Sequence, residues 1–249
     1  MTRRTLLVAA ALAGCKPSDQ TRLRVIIGAV LIDGSGEPPV SRSVVVVAGS
    51  RIRAVGAQAN TPVPAGSEKY DGTGKFVVPA LIEIAADAAP AIQTLAQARE
   101  RVDAGASALG GMIADTEDID PGFLVRLRNL QVVFLPRLHQ LGDAATLARA
   151  QRNTKRLAEA GVPIAAGDGE GAAREWELLT AAGLSPMEVL VAATHHAARV
   201  GKPKQETGIL QPGKSADLLL LDSNPLEDPR NLGRVERRMI GGEWIQEPR

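Results

Sequence analysis

The strongest constraint on this chain is a double change of character along its length. From Leu23 to Val78 the signals are those of strands, in "RLRVIIGAVLIDG", "SRSVVVVAGSRIRAVG" and "KFVVP". After Thr207 they return, in "GILQPGKSADLLLLD" and "RVERRMIGGEWI". Between them, from about Ala91 to Gly201, helical stretches alternate with short apolar ones, the pattern of βα units around a parallel sheet. Any fold for this chain must place β segments on both sides of a βα middle.

The local signals are sharp. Val44–Val47 and Arg51–Val55 flank Gly49-Ser50, where glycine supplies the backbone angle a tight hairpin needs. "DAATLARAQRNTKRLAEAG" predicts a long amphipathic helix stopping at Gly161. "SPMEVLVAATHHAARVG" predicts a single helix, with Ser185 as N-cap, Pro186 in the first turn, Glu188 completing a capping box and Gly201 as stop. "QVVFLPRL" and "VPIAAGDG" read as strands, and "DTEDID" as a solvated acidic loop ahead of a helix.

The N-terminus, "MTRRTLLVAAALAGCKPSD", has a cationic start, an apolar run too short to span a bilayer, and a small-residue site before Cys15. Leu12-Ala13-Gly14-Cys15 resembles a bacterial lipobox, which implies lipidation at Cys15 and a place in the bacterial cell envelope, facing the periplasm or the exterior. The membrane is then a partner through that lipid. Cys15 is the only cysteine, so no intramolecular disulfide can form. Loss of residues 1–14 removes Arg3 and Arg4, taking the formal charge from +1 to about −1. With no basic excess and only 2% aromatic residues, nucleic acid is not expected as a partner.

Three longer stretches carry a family resemblance. "GAVLIDGSGEPPVSRSVVVVAGSRIRAVG", "VPAGSEKYDGTGKFVVPALIE" and "GILQPGKSADLLLLDSNPLEDPRN" resemble the two halves of the small β-sandwich of the amidohydrolase superfamily, in its imidazolonepropionase-like and prolidase-like branch. "NTKRLAEAGVPIAAGDGEG" and "ELLTAAGLSPMEVLVAATHHAARVG" are similar to its last barrel strand and the helices behind it. The resemblance implies an α/β fold: residues 1–14 as signal peptide, 15–22 as tether, 23–78 with 205–249 as a composite β-sandwich, and 79–204 as a truncated β/α barrel of roughly four parallel strands. A complete barrel takes typically ~250 residues, and about 120 are available here. A sheet that short has two open edges, to be covered by the chain's own helices or by a second copy, so a homodimer is one expected arrangement.

In the family, histidines and acids at the strand ends hold divalent metal, which lowers the pKa of a bound water for attack on an amide-type carbonyl. Carried over position by position, the His-x-His falls on Ala85 and Asp87. Glu83 stands at a matching acidic position, and a further ligand strand reads Gly110-Gly111-Met112. The family's last-strand aspartate corresponds to Asp168, displaced by one residue, which along a strand turns a side chain to the other face. Asp87 and Asp168 are the only candidates at family metal positions, and Asp168 the only catalytic one. His139 reads as a hydrogen-bonded wall residue. His195 and His196, adjacent on a helix, point about 100° apart and cannot share an ion from it.

The expectation is therefore a degenerate amidohydrolase-family lipoprotein, catalytically inactive and without a cofactor, serving as a small-molecule binder or scaffold. The alternative is a hydrolase of non-peptide or dipeptide carbon–nitrogen bonds with a reduced site. That site would hold one divalent metal such as zinc, from Asp87, Asp168, Glu170 and a histidine.

Overall fold

The computed structural model describes residues 22–167, 169–200 and 206–245. The signal segment, Cys15 and Asp168 lie outside the described residues. No described helix is long and apolar enough to cross a membrane.

The N-terminal strands are β1 (Leu23–Ile27), β2 (Val30–Leu31), β3 (Ser43–Ala48), β4 (Arg51–Ala57), β5 (Glu68–Asp71) and β6 (Phe76–Pro79). The middle runs β7 (Ala91–Ile92), α1 (Leu95–Asp103), β8 (Ala108–Gly111), α2 (Pro121–Asn129), β9 (Val133–Leu135), α3 (Ala144–Glu159), α4 (Ala172–Ala181) and α5 (Pro186–Val191). The chain closes with β10 (Leu218–Leu221), β11 (Val235–Ile240) and β12 (Glu243–Ile245).

Two sheets form from the chain's ends. One has the order β4-β3-β1-β5, the other β12-β11-β10-β6-β2. They share a core in which Ile26, Val45, Val47 and Ile52 of the first meet Val77, Leu218, Leu220 and Met239 of the second. The valine run of β3 is buried on both faces: Val45 and Val47 point into that core, while Val44 and Val46 pack with Val25 on the far side. That is why β-branched residues occur there without alternation. The second sheet joins sequence-distant segments, β6 lying antiparallel to β10 with Pro79 opposite Leu218 and Phe76 opposite Leu221. A buried arginine stitches the two sheets. Arg24 donates to the Gly242 carbonyl and to Glu243, both at 2.7 Å. The Arg237 guanidinium lies over the rings of Tyr70 and Trp244 nearby.

The middle of the chain builds a parallel sheet, β7-β8-β9, extended by residues 163–166, where Phe134 N donates to Pro163 O and Ala165 N to Phe134 O. Alternation sorts its side chains. Leu109, Phe134, Ile164 and Ala166 face the helices in the largest core, whereas Ala108, Val133, Leu135 and Ala165 face the opposite way, toward Ile84, Ala88 and Ala89. The helices start where their caps say. Thr94 and Ser185 form capping boxes, and Asp120 and Asp143 accept from Phe123 N and Thr146 N.

The helix expected to run unbroken toward Gly201 does not. After α5 the backbone widens into a π-helical turn at Ala192–His196 and tightens into a 3₁₀ turn at Ala197–Arg199. The cause lies in the sheet. Ala192 and Ala193 carbonyls accept from Ala166 N at 3.0 Å and Ile82 N at 3.3 Å, and the His196 ring donates to Ile164 O at 2.9 Å. The distorted turn thus supplies hydrogen-bond partners to the edge segment, as an exposed edge requires. Burial holds the His196 pKa down at about 4, so the ring is neutral at pH 7.

The acidic loop expected from "DTEDID" is pinned from beneath. Asn153, buried on α3, donates from Nδ2 to Ile113 O at 2.8 Å and to Thr116 O at 2.7 Å. Asn153→Ala leaves both carbonyls without that donor and is expected to cost about 2 kcal/mol. A lowered urea midpoint, with faster amide exchange confined to residues 113–118, is the result that checks it.

Candidate functional site

A cleft of about 500 Å³ opens at the C-terminal ends of the parallel strands. Leu135 and Ala165 line its floor, and its polar groups are Glu83, Arg137, His139, Gln140, Glu170 and Glu175. Three of them form one unit. Directly after β9, Pro136 leads into Arg137, whose backbone is left-handed at φ 52°, and a 3₁₀ turn follows at Leu138–Gln140. The first amide groups of that turn point at α4, where Glu175 is buried and accepts from Leu138 N at 3.0 Å and His139 N at 2.9 Å. The same carboxylate takes a third bond, from His139 Nδ1 at 2.8 Å.

This geometry sets the tautomer. Nδ1 must carry a proton to meet the carboxylate, which leaves Nε2 as the free ring nitrogen. The hydrogen bond that His139 donates to Glu175 raises the His139 pKa, with burial opposing it. Gly171, at φ 84°, precedes α4 so closely that a Cβ there would lie 3.0 Å from Nε2. Across the cleft, the Arg137 guanidinium donates to the Ala86 carbonyl at 2.6 Å and rests against Gly110. It has no carboxylate partner among the described residues. Arg137 thereby ties down the segment that follows Glu83 and crosses the sheet.

A sign follows for pH. A raised folded-state pKa for His139 stabilises the protein fully below the unfolded value of about 6.5, and that contribution is lost as pH rises through the folded value. The urea midpoint of the parent should exceed that of His139→Gln most at pH 6 and least well above pH 7. A gap that widens with pH would contradict the assignment.

The expected site residues distribute unevenly. Glu83 and Glu170 line the cleft. Asp87 is exposed and not among its lining residues, and Ala85 is exposed beside it. At Gly110-Gly111-Met112, Gly110 N donates to Pro90 O and Met112 is buried. His195 and His196 lie away from this cleft, their rings 5.7 Å apart. His139 is hydrogen-bonded, as expected of a wall residue, yet the wall it belongs to faces the cleft. Arg137 and Glu175 carry the unit and were not anticipated; Arg137 sits within the strand-end stretch "LPRLHQL", and Glu175 carries no local signal. As for the family's metal, no three His, Cys, Asp or Glu side chains come together among the described residues. One nitrogen of His139 is committed to Glu175, which leaves its Nε2 and the carboxylates of Glu83 and Glu170 as the described cleft's remaining donor atoms.

Residues 141–245 match the model of the amidohydrolase family. No curated protein matches this chain in sequence. Among solved structures, a protein from Bifidobacterium longum assigned as a prolidase is 21% identical, with a TM-score of 0.63, covering 92% of this chain and 95% of its own. A Xaa-Pro dipeptidase with methionine bound in its active site is 12% identical at a TM-score of 0.65, covering 90% and 100%. The ochratoxinase of A. niger is 14% identical at 0.67, covering 90% and 96%. At these identities the likeness speaks for the fold.

Proposed function

We propose that this chain is a lipid-anchored envelope protein that binds a small molecule at the strand-end cleft without hydrolysing it through a metal. In this reading the parallel sheet is a shortened form of the family's barrel, and the sheets from the chain ends are its sandwich. The observation that carries the proposal is a substitution of chemistry. Where the family resemblance implies metal ligands this chain has Ala85 and Gly110-Gly111-Met112, while the cleft presents Arg137 and the His139–Glu175 pair. A guanidinium with N–H groups to spare and an imidazole with one free nitrogen suit a ligand bearing a carboxylate or similar anion. Glu83 and Glu170 offer acceptors for a donor elsewhere on the same ligand. Cys15 supplies the anchor.

The test is metal content by elemental analysis on residues 16–249, purified without chelator. A folded protein with far less than one equivalent, even after incubation with excess zinc, is the expected result. Near-stoichiometric zinc, manganese or iron that Asp87→Ala or Asp168→Ala abolishes would overturn the proposal in favour of a hydrolase with a reduced metal site.

A further inference from the structure

The opposite end of the parallel sheet has polar groups that neither the fold nor the strand-end cleft employs. Two cavities meet there, of about 630 and 520 Å³, and they share three lining residues, Gln131, His195 and Arg199. Each is of the size that small-molecule sites occupy. The larger is walled by Val162, Leu184, Met187 and Val191, all apolar, between the start of the 163–166 segment and α5. It runs from there to the shared residues, so its apolar length ends at a polar junction.

At that junction the described hydrogen bonds of Arg199 end on neutral oxygens. Arg199 donates to Gln131 O at 2.8 Å and to Gln131 Oε1 at 3.4 Å. Lys214 lines the smaller cavity on the same side. Of the acids nearby, Glu188 lines the larger cavity and Asp33 acts on His195, and each already accepts hydrogen bonds. Asp33 accepts from Ser35 N and Oγ, Glu188 from Ser185 N and Oγ, and Glu206 pairs with Arg51. His195 is half-buried. Burial first, then Arg199 and Lys214, push its pKa down, so it stands neutral as a hydrogen-bonding group. It meets the His196 ring and makes no hydrogen bond with the described residues.

We infer that this junction is a second ligand site, for a small amphipathic anion whose carboxylate sits against Arg199 and His195 and whose alkyl part lies along Met187 and Val191. Two independent features specify that occupant. The apolar wall takes a chain that water rejects, at roughly 25 cal/mol per Å² buried. The guanidinium takes the acid through charge-assisted hydrogen bonds. A neutral chain lacks the second contribution, and a cationic one meets Arg199 as a like charge.

Calorimetry on the full-length chain with decanoate, decanol and decyltrimethylammonium, each below its micellar concentration, tests this. Decanoate should bind one to one, and decanol about tenfold or more weakly. The cationic analogue should not bind. Arg199→Ala should weaken decanoate binding about tenfold, and Met187→Trp, which fills the apolar part, should abolish it. Arg199 is exposed, so its removal reads the site without threatening the fold. Arg230→Ala, at a surface arginine paired with Asp228 and outside these cavities, should leave decanoate binding unchanged. No decanoate binding would overturn the proposal, as would binding indifferent to Arg199→Ala and Met187→Trp. Binding lost in Arg137→Ala but kept in Arg199→Ala would place the acid in the strand-end cleft and equally overturn it. None of these outcomes bears on metal content, so the two proposals fail separately.

Discussion

Glu175→Ala should lower the unfolding free energy by about 3–5 kcal/mol, because it strips the acceptor from three donors at once. Leu138 N, His139 N and His139 Nδ1 all end on that carboxylate, and α4 holds it in the core side of the cleft, 4% exposed. Water reaches this point poorly, so the orphaned amides are not rehydrated at no cost. Glu175→Gln should fall between parent and alanine, since an amide oxygen can accept from one N–H while its NH₂ opposes another. The measurement is urea unfolding of the three proteins, together with an NMR titration of His139. In both variants the ring pKa should drop toward its ordinary value, as the hydrogen bond that raises it is lost. A Glu175→Ala protein as stable as the parent would show that the 3₁₀ turn after β9 does not depend on this carboxylate.

The second large effect is expected at Gly242. Gly241 and Gly242 form the two-residue turn between β11 and β12, with φ of 57° and 79°. Both pay conformational strain for any side chain, about 1–2 kcal/mol. Only Gly242 has something in the way. A Cβ there would overlap the Gly49 carbonyl oxygen, which belongs to the β3–β4 hairpin of the facing sheet, while nothing approaches the corresponding position at Gly241. Gly242→Ala must therefore push two sheets apart, adding an overpacking cost of about 1–3 kcal/mol. It would also disturb the carbonyl that receives Arg24. Gly241→Ala is the control. Its loss should stay near the strain value, while Gly242→Ala should lose roughly 3–5 kcal/mol in the same denaturation experiment.

Much of the fold was legible because it is written locally. The hairpin around Gly49-Ser50, the capping box at Ser185 and the strands flanking that hairpin use rules that need only neighbouring residues. The end of the α5 helix was misjudged because its course is set by strand amides at Ala166 and Ile82, groups that have no trace in "VAATHHAARVG". The site was less legible still. Glu175 looks like any acid on an amphipathic helix, and its partners lie 36 and 37 residues earlier in the chain. The left-handed backbone of Arg137 is uncommon for a residue with a side chain, and only the turn it opens explains it.

The pairing of β6 with β10 has a consequence for how the chain is made. Ribosomes deliver Phe76–Pro79 well before Leu218–Leu221, yet the strand beside β6 on one flank is β10 itself. The shared core of the two sheets likewise draws on Met239, more than 150 residues after β6. Folding of this unit must await synthesis of β10 and β11, and its many long-range contacts make that step slow. Until then the valines of β3 and the leucines of β10 are exposed to other chains, a window in which aggregation competes. A nascent or prematurely terminated product lacking β10 should be a target for chaperones and proteases.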